Sequence, residues 1–144
     1  MWVPGRPRTK GSLRPVHVML GRGLCKVSLT EDGEFATPWK NTMIAGIRAA
    51  CVCARWPGPV RVDTTFIFEK LCAPDLDALL WPWPTREKGA YAHGDEDKLR
   101  RNALDALTQS GLIKDDSQVV GGLNMKRWAV MDERAGVWIE VGAA

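Results

Sequence analysis

The stretch HGDEDKLRRNALDALTQSGLIKDDSQVV, residues 93–120, sets the order of elements around which the chain folds. Apolar side chains recur there at three- and four-residue spacing, which predicts a helix after Asp95 that buries Leu99, Ala103, Ala106 and Leu107. Gly111 is the residue type that ends a helix in the left-handed conformation. The apolar run that starts at Val119 then predicts a strand.

Upstream of this stretch, the sequence predicts a second strand and a second helix. Residues 60–68 alternate between apolar and polar side chains, which is typical of a strand with one buried face. Thr37 and Pro38 predict a helix start, with Thr37 as the N-cap and the proline at the first helical position. Helical spacing of apolar residues continues from there toward Pro57, which would end the helix.

Shorter strands are predicted toward both chain ends. The N-terminal part would contain strands at 1–3, 16–20 and 24–29, the last two joined as a hairpin. Near the C-terminus, strands at 119–131 and 136–141 would form an antiparallel hairpin.

A long loop and a single-domain fold complete the prediction. Residues 71–94 are rich in proline and glycine and predict a long loop or insertion. We therefore expect residues 1–144 to form one α/β (α+β) domain, with a mixed or antiparallel sheet packed on two main helices.

The bulk composition excludes several classes of protein. A chain of 144 residues with 26% charged and 45% hydrophobic side chains is typical of one soluble domain. No long apolar run or signal peptide is present, so we expect a cytoplasmic protein without a membrane partner. The four cysteines and two histidines are scattered, which does not suit a zinc site. Neither a small-molecule cofactor nor a nucleophile–histidine arrangement is indicated.

The charge is distributed unevenly. Residues 1–26, the basic N-terminal region, contain arginine and lysine but no acidic residue, within a chain of net charge +3. Such a region favours binding to a polyanion. The alternative is a solvated N-terminal tail with no partner. The candidate contacts to a nucleic-acid backbone are Arg6, Arg8, Lys10, Arg14, Lys98, Lys126 and Arg127.

Two pairs of aspartates flank the helix predicted after residue 95. Asp95 and Asp97 precede or begin it, and Asp115 and Asp116 follow it. If the segment after Gly111 runs back along the helix, the pairs converge, and a divalent cation would offset their repulsion. The alternative is that these acids have structural roles only. Asp95 would be a helix N-cap, Asp97 a first-turn acid that interacts favourably with the helix dipole, and Asp115 and Asp116 part of an ordinary turn.

The order of these motifs resembles the RusA family of Holliday junction resolvases. The resemblance is carried by Asp-x-Asp, then Leu-Asp-Ala-Leu-Thr and a glycine, and finally Asp-Asp-x-Gln-Val-Val, within residues 93–120. A weaker similarity covers residues 3–15, which are rich in glycine, proline and basic residues. The resemblance implies a small phage- or prophage-type endonuclease that acts as a homodimer, uses Mg²⁺ (with Mn²⁺ as a substitute) and cuts four-way DNA junctions in recombination and repair.

The resemblance also implies roles for individual residues. The catalytic, metal-binding aspartates of the family fall on Asp95, Asp97 and Asp116, and Asp115 is a further candidate ligand. Arg101 stands where the family has a catalytic lysine, so its role departs from the family pattern. Arginine keeps the charge and can bind phosphate through two nitrogens, but it is a poor proton donor.

Several alternatives remain open from the sequence. Asp75 and Asp77 also form an Asp-x-Asp pair, although proline-rich sequence follows them rather than a helix. Trp81 and Trp83 are candidates for stacking at a junction or for dimer packing. The rival functions are a metal-dependent nuclease for forks or flaps, and a non-catalytic DNA-binding module whose acids are only helix caps.

Overall fold

A mixed five-stranded sheet with two helices on one face forms the protein. The computed structural model describes residues 1–10, 13–19, 25–31, 36–51, 55–69 and 95–144, with the backbone alone for 13–19 and 25–31. The helices are α1 (Ala36–Ala50) and α2 (Glu96–Ser110). The strands are β1 (Trp2–Pro4), β2 (Leu13–Met19), β3 (Cys25–Glu31), β4 (Val60–Phe68), β5 (Val119–Gly121), β6 (Asn124–Trp128) and β7 (Gly136–Ala143). The expected α+β domain is confirmed.

Strand β4 lies at the centre of the sheet. It pairs antiparallel with β7 on one side and parallel with β5 and β6 on the other, and β1 extends the sheet beyond β7. The alternating sequence of β4 explains this place, because Val62, Thr64 and Phe66 are buried on the helix side. Arg61 and Asp63 point to the opposite face. The predicted strand at 60–68 is confirmed.

Helix α2 follows its predicted pattern closely. Leu99, Ala103, Ala106 and Leu107 are fully buried against the sheet. The helix ends at Gly111, whose φ of 89° is left-handed, and the Gly111 amide donates to the carbonyl of Thr108 at 3.0 Å. Leu112 and Ile113 are buried directly after this glycine, so the chain enters the core at the C-terminal end of α2.

Helix α1 differs from its prediction at both ends. It begins at Ala36, so Thr37 lies inside the helix and is not the N-cap. Pro38 is still tolerated, because amides in the first turn have no helical partner. The helix ends at Ala50, well before Pro57. The backbone amide of Trp56 instead donates to the carbonyl of Leu112 at 2.9 Å. This hydrogen bond holds the chain around Trp56 against the loop that follows α2.

The predicted C-terminal hairpin is wrong. Residues 119–128 form two short strands on one side of β4, whereas β7 lies on the other side of β4. The strand breaks at Gly122, which has φ 133° and lies so close to Val62 that a Cβ atom would clash with its carbonyl oxygen. Both edges of the buried strand β4 are therefore satisfied by different segments.

The N-terminal elements largely match prediction. β1 pairs antiparallel with β7, and Val3 is completely buried. β2 and β3 form the predicted antiparallel hairpin, somewhat longer than expected. Among the residues that the structure describes, no helix is long and apolar enough to cross a membrane. The predicted loop at 71–94, with Asp75, Asp77 and both its tryptophans, lies outside the described residues.

Candidate nucleic-acid and metal site

One line of residues along helix α2 is exposed at Asp97 and Arg101 and half-buried at Leu104 and Thr108. Asp97, Arg101, Leu104 and Thr108 follow a spacing of four, three and four, which places them within a narrow arc of the helix surface. This line, the α2 stripe, lies opposite the buried face. The side chains of Asp97 and Arg101 are 68% and 60% exposed, so they can contact a partner.

Asp95 and Asp97 lie together at the N-terminal end of the α2 stripe. Asp95 occupies the N-cap position, but its carboxylate makes no capping hydrogen bond. It pairs instead with Lys98, with 3.0 Å between Oδ2 and Nζ. Asp97 and Arg101 form a loose pair at 3.9 Å. The side chain of Asp95 therefore does not cap the helix, although Asp95 and Asp97 both lie where the helix dipole favours negative charge.

Asp115 and Asp116 lie at the opposite end of the helix. Asp115 accepts a hydrogen bond from the Ser117 amide at 2.9 Å, which lowers the pKa of its carboxyl and begins a short 3-10 turn. Asp116 accepts from the hydroxyl of Thr108, with 2.8 Å between Thr108 Oγ1 and Asp116 Oδ1. The structural alternative of a turn acid describes Asp115 well. Asp116 is exposed and held at the C-terminal end of the α2 stripe.

The two acid pairs do not meet within one copy of the chain. Asp97 and Thr108 are about 16 Å apart along α2 at 1.5 Å per residue. The chain after Asp116 does run back along α2, because Gly121 and Gly122 lie beside Arg100 and Asn124 lies beside Glu96. Asp116, however, lies at the start of this return, next to Thr108. Within the described residues, no three His, Cys, Asp or Glu side chains lie close enough to hold a metal ion. One copy alone therefore does not fit a Mg²⁺ held by Asp95, Asp97 and Asp116.

Residues 6–10 lie along one flank of α2. The buried side chain of Asn102 donates to the carbonyl of Arg8 at 3.0 Å. The amide of Lys10 donates to the carbonyl of Lys98 at 3.3 Å, and the Lys10 ammonium lies 2.6 Å from Asp105. Over residues 1–10 the basic region is thus part of the fold, so the alternative of a solvated tail is wrong there.

Lys98 lies beside Asp95 and Arg101 beside Asp97, and residues 6–10 add further positive charge on one flank of the helix. Partial burial and the neighbouring charge of Arg6 lower the pKa of Arg8. A cluster of like charges favours binding of an anion. Lys98 and Arg101 add positive charge on the helix itself.

The other flank of α2 is fixed to the junction between β5 and β6. Arg100 donates to the carbonyls of Gly122 and Val62 at 3.3 and 3.4 Å. The side-chain amide of Asn124 donates to the carbonyl of Glu96 at 3.0 Å. These contacts hold the first turns of α2, and with them Asp95 and Asp97, against the edge of the sheet.

A second layer supports this junction. Asn124 Oδ1 accepts a hydrogen bond from the hydroxyl of Thr64, which is only 1% exposed. Asp63 accepts from the Leu123 amide at 2.6 Å, and this hydrogen bond, with the Arg61 guanidinium, lowers the pKa of the Asp63 carboxyl. These hydrogen bonds therefore fix the backbone geometry at the break between β5 and β6.

The remaining predicted DNA contacts are placed less favourably. Arg127 forms a two-pronged ion pair with Glu133 at 2.5 and 2.7 Å, which raises the arginine pKa and lowers that of the glutamate. Its guanidinium is thus already occupied by an internal partner. Lys126 lies half-buried on β6, and Arg14 lies on β2, where only the backbone is described.

Sequence reasoning missed the polar residues that hold α2 in place. Asn102, Asn124, Arg100 and Thr108 were not selected as functional or structural residues. Asn102 carried a usable signal, because it interrupts the buried face of the predicted helix between Leu99 and Ala103. A polar side chain there must find a hydrogen-bond partner. The partners themselves come from distant segments and cannot be deduced from spacing.

Comparison with known proteins adds no family assignment. A scan against models of protein families found no match, and a search of curated proteins likewise returned no significant relative.

Proposed function

We propose that the protein is a Mg²⁺-dependent endonuclease that acts on branched DNA, with four-way junctions as the preferred substrate. The sequence resemblance suggests this activity. The observation that supports it is the packing of the basic residues 6–10 along α2, the helix whose first turn carries the exposed carboxylate of Asp97.

The exposed acids favour a nuclease over a passive DNA-binding module. Asp97 is 68% exposed on the surface where a phosphate backbone would approach Arg101 and residues 6–10. Carboxylates next to phosphates are unfavourable unless a cation lies between them. A protein that only bound DNA would therefore gain affinity by losing Asp97, whereas a metal-dependent nuclease would lose its activity.

The basic residues would bind the DNA backbone of the substrate. Arg6, Arg8 and Arg101 are suited to contacts with phosphate oxygens, because a guanidinium can donate two parallel hydrogen bonds. Such contacts bind the backbone without reading sequence. A junction would then be selected by its shape and by the spacing of active sites in a homodimer.

Incision of labelled DNA in Mg²⁺ tests the proposal. Wild type should nick four-way junctions faster than forks, flaps or linear duplex, and Asp97→Asn should bind junctions at least as tightly but not nick them. Asp132→Asn, which removes an exposed carboxylate from a different turn, is the matched control and should behave as wild type. Equal incision by wild type and Asp97→Asn would contradict the proposal.

Substrate preference in the incision assay, together with a calorimetric Mg²⁺ titration, separates the two rival functions from the proposed one. Forks or flaps as the best substrates would indicate the rival nuclease activity. No incision of any DNA, with no metal heat that depends on Asp97, would indicate the non-catalytic module. In either case Arg6→Ala together with Arg8→Ala should reduce the salt dependence of binding by about 0.9 in log–log slope per lost phosphate contact.

A further inference from the structure

We infer that the outer edge of strand β7, at residues 140–143, binds an extended segment of a partner protein. The backbone of that segment would add one strand to the sheet. An apolar side chain and an acidic side chain of the segment would enter the cavity that lies beside this edge. The inference concerns a surface away from helix α2's exposed acids and does not depend on the proposed nuclease activity.

The backbone of β7 is paired along only part of its outer edge. β1 covers residues 136–138, and Met1 exchanges two hydrogen bonds with Ile139, at 2.7 and 2.9 Å. Backbone groups of a strand face its two edges in alternation, so Val141 and Ala143 face the same edge as Ile139. Within the part of the chain that the structure describes, neither residue has a partner on that side. Their amides and carbonyls can therefore pair with one further strand, in line with β1.

An apolar cavity lies beside this edge, on the side of the sheet that carries the helices. Its volume is about 1040 Å³, and its apolar walls include Met1, Cys51, Trp56, Leu112, Ile139 and Val141. The wall around Trp56 is fixed, because the Gln118 side chain donates to the carbonyls of Trp56 and Gly58 at 3.3 and 2.9 Å. The cavity is thus preformed and large enough to bury a bulky apolar side chain.

The register of β7 places one side chain of the bound segment in this cavity. Residues directly opposite each other on neighbouring strands have their side chains on the same face of the sheet. Val141 packs against the core on the helix side, as the buried Ile139 does. The residue opposite Val141 would therefore point toward the cavity while its backbone pairs with the edge. An extended segment with an apolar residue at that position satisfies the edge and the cavity together.

The charge at the cavity favours an acidic residue in the bound segment. Arg55 lines the cavity, and its Nε donates to the carbonyl of Gly111 at 3.3 Å. Its two terminal nitrogens have no partner among the described residues and can donate to a carboxylate. Glu140 is the other charged residue at the cavity, but alternation along β7 places its side chain on the opposite face of the sheet.

The strand order also gives the position of that acid. The Ala144 amide donates to the carbonyl of Pro59 at 3.3 Å, which brings the end of β7 close to the segment that carries Arg55. The acid should thus lie opposite Ala143, two residues before the apolar residue opposite Val141. A second copy of β7 does not fit this pattern, because Val141 and Ala143 of its own edge bring no acid to this face. A segment of a different protein is therefore the occupant.

Fluorescence anisotropy with a labelled peptide tests this site. The probe is the amidated peptide Thr-Asp-Thr-Phe-Thr with fluorescein at its N-terminus, in which the acid and the aromatic ring share one face of an extended strand. Thr-Thr-Asp-Phe-Thr has the same composition but places them on opposite faces. Wild type should bind the probe at least about tenfold more tightly than this control. Equal binding of the two peptides, or binding of neither, overturns the inference.

Substitutions on each wall of the cavity provide matched pairs. Arg55→Glu should weaken binding of the probe at least about tenfold and should bind Thr-Lys-Thr-Phe-Thr instead, whereas Arg134→Glu on an exposed turn should bind as wild type. Ala50→Trp, which fills the cavity from the end of α1, should abolish binding, whereas Ala49→Trp on the adjacent exposed position should not. Thermal melting verifies that each variant is folded. An Arg55→Glu protein that binds the probe like wild type overturns the inference.

Hydrogen exchange and sedimentation test the edge itself. The probe should slow exchange of the Val141 and Ala143 amides at least about tenfold, and unchanged exchange at both would overturn strand addition. Ala143→Pro removes one edge donor without touching the pairing with β4, so it should weaken the probe and leave the sedimentation of wild type unchanged. If Ala143→Pro instead dissociates a wild-type dimer, a second copy occupies the edge, and the partner segment is overturned.

Discussion

Thr108 donates a hydrogen bond to Asp116 across the C-terminal end of α2, with 2.8 Å between the hydroxyl and the carboxylate oxygen. This contact links the acidic motif after the helix to the helix surface that carries Asp97. It fixes the direction of an exposed carboxylate that would otherwise rotate freely, and it makes the position of Asp116 depend on the geometry of α2.

Thr108→Val should therefore reduce incision without unfolding the protein. The valine keeps the shape but cannot donate to Asp116, and losing an interaction that orients a metal ligand costs about 10- to 100-fold in activity or metal affinity. Thr108→Ser, which restores the donor, should recover most of the activity. Incision rates and Mg²⁺ titration of both variants provide the measurement. Equal rates for valine and serine would show that the hydrogen bond has no positioning role.

Asn102→Ala should loosen residues 6–10 from α2. The substitution removes a buried donor and leaves the carbonyl of Arg8 without that bond, which costs about 1–3 kcal/mol in the free energy of unfolding. Urea denaturation measures the cost, and amide hydrogen exchange at residues 6–10 measures the release. Gln109→Ala, on an exposed position of the same helix, should change neither. Unchanged exchange in Asn102→Ala would refute the anchoring role.

Gly122→Ala should destabilise the protein strongly, by about 3 kcal/mol or more in the free energy of unfolding. Its φ is 133°, and a Cβ atom would lie 1.8 Å from the carbonyl oxygen of Val62. Gly121→Ala is a control one residue away, because a Cβ there meets no atom within 4 Å. It should stay within about 0.5 kcal/mol of wild type. Thermal denaturation of the pair would contradict the bulge geometry if both variants melted alike.

The Arg127–Glu133 ion pair should contribute an acid-sensitive part of the stability. Its hydrogen bonds lower the pKa of Glu133 below the ordinary value of 4.5, so the unfolded chain takes up a proton at this position before the folded chain does. The contribution is complete above that ordinary value and is lost as the pH falls through the lower, folded-state pKa. Melting temperatures of wild type and Glu133→Gln should converge toward acid pH. A constant difference would exclude this pair as the source.

The fold could be predicted where a single segment carries the whole signal. Helix α2 and strand β4 each repeat a pattern along their own length, so their positions and buried faces follow from the sequence. The pairing of β7 could not be predicted, because alternation identifies a strand but not its neighbour. Residues 132–136 resemble a hairpin turn, yet β4 accepts β6 and β7 on opposite edges.

The candidate site divides in the same way. The sequence indicates which acids are the candidate ligands, but their convergence depends on the path after Gly111. Burial of Leu112 and Ile113 decides that path and keeps Asp116 at the far end of α2. Two apolar residues directly after a helix-ending glycine were a signal for this insertion. The packing of residues 6–10 depends on Asn102, whose partner lies 94 positions away in the chain.

Junction incision with and without Mg²⁺, run side by side on wild type and Asp116→Asn, is the decisive test for metal-dependent cleavage by this protein. Asp116 is exposed, and asparagine can still accept the hydrogen bond from Thr108, so the variant should fold and bind junctions normally. Wild type should make paired nicks only when Mg²⁺ is present, and Asp116→Asn should incise at least about 100-fold more slowly. Incision by wild type without a divalent cation, or by Asp116→Asn at the wild-type rate, would contradict metal-dependent cleavage.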